Sequence, residues 1–208
     1  DWEETSSKGT LGSFEPGRDD TPAPGQSQRT GGARSAIFGP VNTTATPEKK
    51  LLRFTINGTP WEGAVAQHAL LLDVLRYEAD LTGTKRGCDM GTCGCCAVQI
   101  EGEPRLSCLT LALDCQGANV RTIEGVQNGP LLTSLQREWA ECGASQCGFC
   151  TPGFIMVGEA LLERCPKPSE EQVRAAIAGN LCRCTGYVKI VEAFMRATGQ
   201  GAEGEQAS

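Results

Sequence analysis

The sequence predicts an α+β chain, with a strand-rich unit ahead of a helical one and a group of cysteines in each. Three observations carry this expectation. Apolar residues alternate with polar ones from Leu51, they recur at helical spacing after Gly125, and twelve cysteines among 208 residues fall largely into two spaced groups. Strands followed by helices mark an α+β arrangement rather than an alternating α/β one.

Residues 1–50 are rich in Gly, Pro, Ser and Thr and poor in apolar side chains. Such a segment has too little apolar surface to offset the entropy of ordering itself. We expect an extended tail lying on a partner subunit, with Trp2, Phe14, Ile37 and Phe38 as its anchors. Residues 51–126 form the first unit. Leu52, Phe54 and Ile56 alternate with Arg53, Thr55 and Asn57, and Asn57-Gly58 is a hairpin signal, so a strand pair is expected here. Leu70 to Tyr77 has helical spacing. A cysteine-bearing loop follows from Gly83 to Cys96, then a strand at Ala97–Ile100, a turn at 101–104, a strand from Arg105 to Leu113 and a last one from Asn119 to Ile123.

Residues 127–199 form the second unit, with helices expected over Leu131–Glu141, Pro152–Arg164, Ser169–Ala178 and Val188–Thr198. Pro152 suits a first helical turn, and Ser169 with Gln172 three residues on reads as a capping box. Residues 200–208 read as a frayed tail.

Composition excludes several chemistries. One histidine, His68, rules out a three-His zinc site, a two-His iron triad and a Rieske cluster within this chain, so any metal is held mainly by thiolates. His68 itself is expected to be a partly exposed structural residue. A net charge of −6 opposes binding to duplex nucleic acid, and no apolar run approaches the roughly 20 residues of a transmembrane helix. No Rossmann or P-loop fingerprint is present.

The first cysteine group is Cys88, Cys93, Cys96 and Cys108, spaced C-x4-C-x2-C with the fourth after eleven residues, which is the plant-type 2Fe-2S ferredoxin spacing. Gly87, Gly91 and Gly94 between them let the backbone come close and turn its N–H groups to the sulfurs. The second group is Cys147, Cys150, Cys182 and Cys184, a C-x2-C followed by a distant C-x-C. A helix opening at Thr151-Pro152 would place the Cys150 sulfur at its positive end, favouring the thiolate. A structural zinc is the rival for the second group, and disulfides would leave the glycine-rich loop unexplained. Cys95, Cys115, Cys142 and Cys165 read as buried small hydrophobes. Spacing alone leaves open a swap between Cys95 and either neighbouring ligand.

Three stretches, Gly83-Thr84-Lys85-Arg86-Gly87-Cys88-Asp89-Met90-Gly91-Thr92-Cys93-Gly94-Cys95-Cys96, Gln146-Cys147-Gly148-Phe149-Cys150-Thr151-Pro152-Gly153 and Gly179-Asn180-Leu181-Cys182-Arg183-Cys184-Thr185-Gly186-Tyr187, resemble the iron-sulfur small subunit of the xanthine oxidase family of molybdenum hydroxylases. The resemblance covers about Leu51 to Gly199. It implies a ferredoxin-like β-grasp domain followed by a four-helix bundle, each with one 2Fe-2S cluster. The distal cluster maps onto Cys88, Cys93, Cys96 and Cys108, and the proximal one onto Cys147, Cys150, Cys182 and Cys184. Gln146 and Cys184 correspond to residues that approach the pterin of the molybdenum cofactor. The implied partners are a large subunit carrying that cofactor and an FAD subunit or another electron acceptor, with no nucleic acid and no transmembrane segment.

By the same resemblance the chain is an electron-transfer subunit, not catalytic alone, that carries electrons singly from molybdenum through two clusters to a flavin or external acceptor. A free-standing ferredoxin-like carrier and a zinc-stapled adaptor are the alternatives. The chain departs from the family at Cys95, where a small residue such as Ala is common, and in its first fifty residues. Cytoplasm is the expected compartment, and periplasmic location after twin-arginine export, with a leader cleaved before Asp1, is the alternative.

Overall fold

The computed structural model describes residues 48–127 and 131–200. Residues 1–47 of the expected tail, with its four anchors, lie outside the described residues; Lys49 and Lys50, also expected in the tail, instead open the first strand, where they pair with Ala66 and Val65. Strands β1 (Lys49–Ile56) and β2 (Thr59–Ala66) form an antiparallel hairpin. Asn57 and Gly58 join them, both at positive φ (52° and 79°), as the Asn-Gly signal requires. The alternation in β1 is realised as expected: Leu52, Phe54 and Ile56 are buried while Leu51 and Arg53 face out.

Strands β3 (Ala97–Ile100), β4 (Glu103–Leu106) and β5 (Asn119–Arg121) complete a five-stranded sheet in the order β2-β1-β5-β3-β4. β5 runs parallel to β1 and antiparallel to β3. Two expectations shift here. The turn is confined to Glu101-Gly102, both at positive φ, and β4 begins at Glu103 and ends at Leu106. Pro104 fits a strand because β4 is the sheet edge, where a missing N–H costs little. The stretch expected as strand to Leu113 becomes two 3₁₀ turns, Ser107–Leu109 and Ala112–Cys115. Ser107 donates to the Cys96 carbonyl through both its backbone N–H and its hydroxyl (3.2 and 2.7 Å), pulling the chain out of the ladder at Cys108.

The expected helix at Leu70–Tyr77 is short and widened: α1 (Leu71–Asp73) runs into a π turn, Val74–Glu78. Ala79 N–H bonds back five residues to Val74, and Asp80 follows at φ 57°. Leu71, Val74 and Leu75 pack with Leu52, Phe54, Ile56, Val98 and Val120 as the core of the sheet unit.

Helices α2 (Ser134–Glu141), α3 (Thr151–Arg164), α4 (Glu170–Ile177) and α5 (Val188–Ala197) follow. The capping box at Ser169 and Gln172 is present, and a second, unforeseen one at Thr133 and Gln136 delays α2 until Ser134. Leu135, Trp139, Phe154, Ile155, Val173, Ile177, Ile190 and Phe194 are buried together in one helical core. Helix α3 lies against β3 and β4, with the buried Gln99 amide donating to the Met156 carbonyl (3.0 Å). Arg121 at the end of β5 reaches Glu163 on the same helix (2.8 Å). None of the described helices is long and apolar enough to cross a membrane.

Candidate metal centres

The loop bearing the first cysteine group is tied down before its first cysteine. The Arg76 guanidinium donates to the carbonyls of Thr82 and Thr84 (2.8 and 2.7 Å), and Arg86 is ion-paired with Asp73. Within the loop the four thiols lie close enough to act on one another: Cys93 bears on Cys88, and Cys96, Cys88 and Cys93 all bear on Cys108. The backbone N–H groups of Met90, Cys93 and Thr92 converge on Cys88 and lower its pKa from 9.0 to about 6. Thr92 N–H stands 3.3 Å from the sulfur. Such a nest of amides stabilises negative sulfur. Burial, with the neighbouring Cys96 next, pushes Cys108 up to about 12. Cys93, Cys96 and Cys108 are all buried, and Cys88 is half-buried.

The expectation for the loop glycines is met in two ways. Gly91 and Gly94 adopt positive φ (70° and 71°), whereas Gly87 serves close approach, since a Cβ there would stand 3.0 Å from the Cys93 sulfur and 3.1 Å from that of Cys95.

In the second group Cys147 and Cys184 are 3.6 Å apart, sulfur to sulfur, and Cys182 and Cys147 both bear on Cys150. Cys147, Cys184 and Gln146 are exposed, and Cys150 and Cys182 are half-buried. α3 begins at Thr151 with Cys150 at its N-cap. The expected thiolate at that helix end does not follow: burial, then Cys182 and Cys147, pushes Cys150 up to about 12. Desolvation of the charged form outweighs the helix end. Cys182 behaves oppositely. Burial raises it, but the Thr185 hydroxyl, the Thr185 N–H and the Cys184 N–H together lower it.

The two loops touch. Leu181 N–H donates to the Cys93 carbonyl (2.9 Å), and the buried Asn180 amide donates to the Gly94 carbonyl (3.1 Å). Each donor lies within two residues of Cys182, and Cys93 is itself an acceptor. Cys95 lies at this junction: its thiol hydrogen-bonds with Cys93, and a Cβ on Gly153 would come 3.0 Å from its Cα. Burial, with Cys93 next and Cys150 behind it, pushes the Cys95 thiol up to about 12.

Cys115 and Cys142 are buried as expected, Cys165 is half-buried and His68 is exposed. Asn180, Thr185 and Tyr187 were not singled out by the sequence reading, although Thr185 three residues after Cys182 is a short-range donor signal.

The donor set fits a two-iron cluster at each group. Among the described residues no three Cys, His, Asp or Glu side chains gather as a single-ion site. A 2Fe-2S cluster asks for something else, four thiolates shared between two irons, and in both groups the thiols lie close enough to act on one another. Sulfur-directed N–H donors and the space beside Gly87 suit the same cargo.

The comparisons agree. A 2Fe-2S iron-sulfur cluster binding domain matches residues 54–121, and a second 2Fe-2S binding domain matches residues 122–195. The chain is 42% identical over 149 residues to a probable xanthine dehydrogenase subunit of Bacillus subtilis, covering 72% of this chain and 86% of that protein. Among solved structures it resembles quinoline 2-oxidoreductase from Pseudomonas putida 86 with a TM-score of 0.70 and 42% identity, over 73% of this chain and 94% of that one. It also resembles the aldehyde oxidoreductase from Desulfovibrio gigas, with a TM-score of 0.68 and 42% identity, over 72% of this chain but only 17% of that longer one. The chain therefore belongs to the 2Fe-2S small subunits of the xanthine oxidase family, electron-transfer components of molybdenum hydroxylase oxidoreductases.

Proposed function

We propose that this chain is a two-centre relay: Cys147, Cys150, Cys182 and Cys184 hold one 2Fe-2S cluster, and Cys88, Cys93, Cys96 and Cys108 hold another. Each cluster, when bound, takes up and returns one electron at a time. The sheet unit is read as a β-grasp ferredoxin domain and the helical unit as a four-helix bundle.

The single observation that carries this reading is that the thiols of each group lie close enough to act on one another, and that the loops bearing Cys93 and Cys182 hydrogen-bond to each other. Gln146, Cys147 and Cys184 share an open surface, which suits docking against a large partner that carries a molybdenum-pterin cofactor, with Gln146 and Cys184 facing the pterin. Electrons would enter there and leave from the Cys88 side to an FAD subunit or another acceptor. Residues 51–126 and 127–199 are the functional units of this relay, and residues 1–50 are assigned to the surface of the partner.

Cys150→Ala tests the assignment. In the intact complex it should abolish turnover with the natural acceptor while the other cluster stays visible by electron paramagnetic resonance. Normal turnover of the variant would overturn the second site.

A further inference from the structure

The loop that carries Cys182 and Cys184 folds back on itself through three side chains. Tyr187 sits at φ 70°, in the left-handed region that is strained for a non-glycine residue. Its phenol bridges the loop, accepting from the Cys182 N–H (3.0 Å) and donating to the Asn180 carbonyl (3.2 Å). Its ring rests edge-on against the buried Phe154. These contacts hold the strained residue and, with it, the direction of its own backbone N–H.

That N–H donates to the Thr185 hydroxyl oxygen (3.2 Å). A hydroxyl has one hydrogen, so with its oxygen serving as acceptor the hydrogen is free to point elsewhere. The Cys182 sulfur lies 3.1 Å from the Thr185 oxygen, and the Thr185 N–H faces the same sulfur at 3.5 Å. We propose that the Thr185 hydroxyl, aimed by Tyr187, is a positioning donor that sets the reduction potential of the cluster held by Cys182. This rests on the reading of Cys182 as a ligand.

The physical reason is charge. Reduction adds one negative charge to the cluster and its sulfurs, and a donor at a ligand sulfur stabilises the reduced state more than the oxidised one. Without the hydroxyl the cluster is harder to reduce. Among the described residues no hydroxyl donates to a sulfur of the first site, and the N–H donors to Cys88 are backbone amides.

The test is a redox titration of the purified complex, following each cluster by electron paramagnetic resonance. Thr185→Val should lower the one-electron reduction constant of the second cluster by about tenfold, a shift of ~59 mV, and leave the first unchanged. Thr185→Ser should restore the native value, because serine returns the hydroxyl. Thr185→Ala is measured alongside and should match valine, so that poor assembly of one variant leaves the other to decide. Unchanged midpoints in the valine or alanine variant, with both signals intact, would overturn the proposal. So would a serine variant as low as valine. Cys182→Ser separates the two readings. If it leaves both clusters as they were, the ligand assignment falls and the proposal with it, whereas an altered second cluster beside an indifferent Thr185 removes the proposal alone.

Discussion

The two cysteine groups solve the same chemical problem with different materials. At Cys88 the donors are three backbone N–H groups of a glycine-containing loop, and the other three thiols are buried beside the sheet. At Cys182 a side-chain hydroxyl joins the amides, and two of the four thiols are open to solvent. The first environment is written into the path of the backbone and resists change by substitution. The second is written partly into one side chain, so a single replacement can retune it. In the proposed relay, a retunable Cys182 site beside a Cys88 site fixed by the fold would let the chain be matched to different partners without rebuilding either loop.

The largest expected effect comes from breaking the junction that both groups share. Gly94→Ala would force a Cβ to within 2.5 Å of the Gly179 carbonyl and 2.7 Å of the Asn180 amide, at φ 71°. The backbone conformation alone costs about 1–2 kcal/mol, and the clash with backbone adds to it. We expect lower thermal stability and loss of iron from both sites, read by metal analysis of the purified complex. Loss from one site only would mean that the groups are assembled independently.

A smaller effect is expected away from both sites. Glu159 in α3 is half-buried beside Thr133, and its pKa is raised, chiefly by burial, with the Thr133 hydroxyl and Arg121 opposing. A carboxyl whose folded pKa is raised favours folding most below its unfolded pKa of about 4.3, and that contribution is lost as pH rises through the folded value. Glu159→Gln should therefore raise the melting temperature at neutral pH, with the gain closing as the pH is lowered towards the unfolded value. Both cluster signals should stay unaltered. A gain that grows on acidification would reverse the sign.

The smallest effect is predicted to be none. Thr92 donates to Cys88 through its backbone N–H, and its side chain is exposed. Thr92→Ala should leave the first midpoint potential where it was, in contrast to Thr185. A shift comparable to that of Thr185→Ala would erase the distinction between the two sites.

Much of this was legible in the sequence because its signals are local. The β1 alternation, the Asn57-Gly58 turn and the Ser169 capping box each depend on residues within a few positions, and each is realised. The C-x4-C-x2-C, C-x2-C and C-x-C spacings are local too, although the second group joins residues up to 37 positions apart. What was misread depends on distant partners. The segment after Leu106 has strand-like residues, but the Ser107 bonds to Cys96 divert it into 3₁₀ turns. The helix near Leu71 widens into a π turn as its end is tied down by Arg76 to Thr82 and Thr84. Cys150 stands at a helix N-terminus as its sequence implies, yet burial among other thiols decides its proton. The contact of Asn180 with Gly94 joins residues 86 positions apart and has no local signature.

The most direct test of the relay is native mass spectrometry of the complex purified from its source, paired with analysis for iron, zinc and molybdenum. Four irons on this chain, with molybdenum present only alongside a co-purifying large subunit, is the predicted result. A chain that carries zinc in place of iron, or four irons on a chain that runs alone, would contradict it.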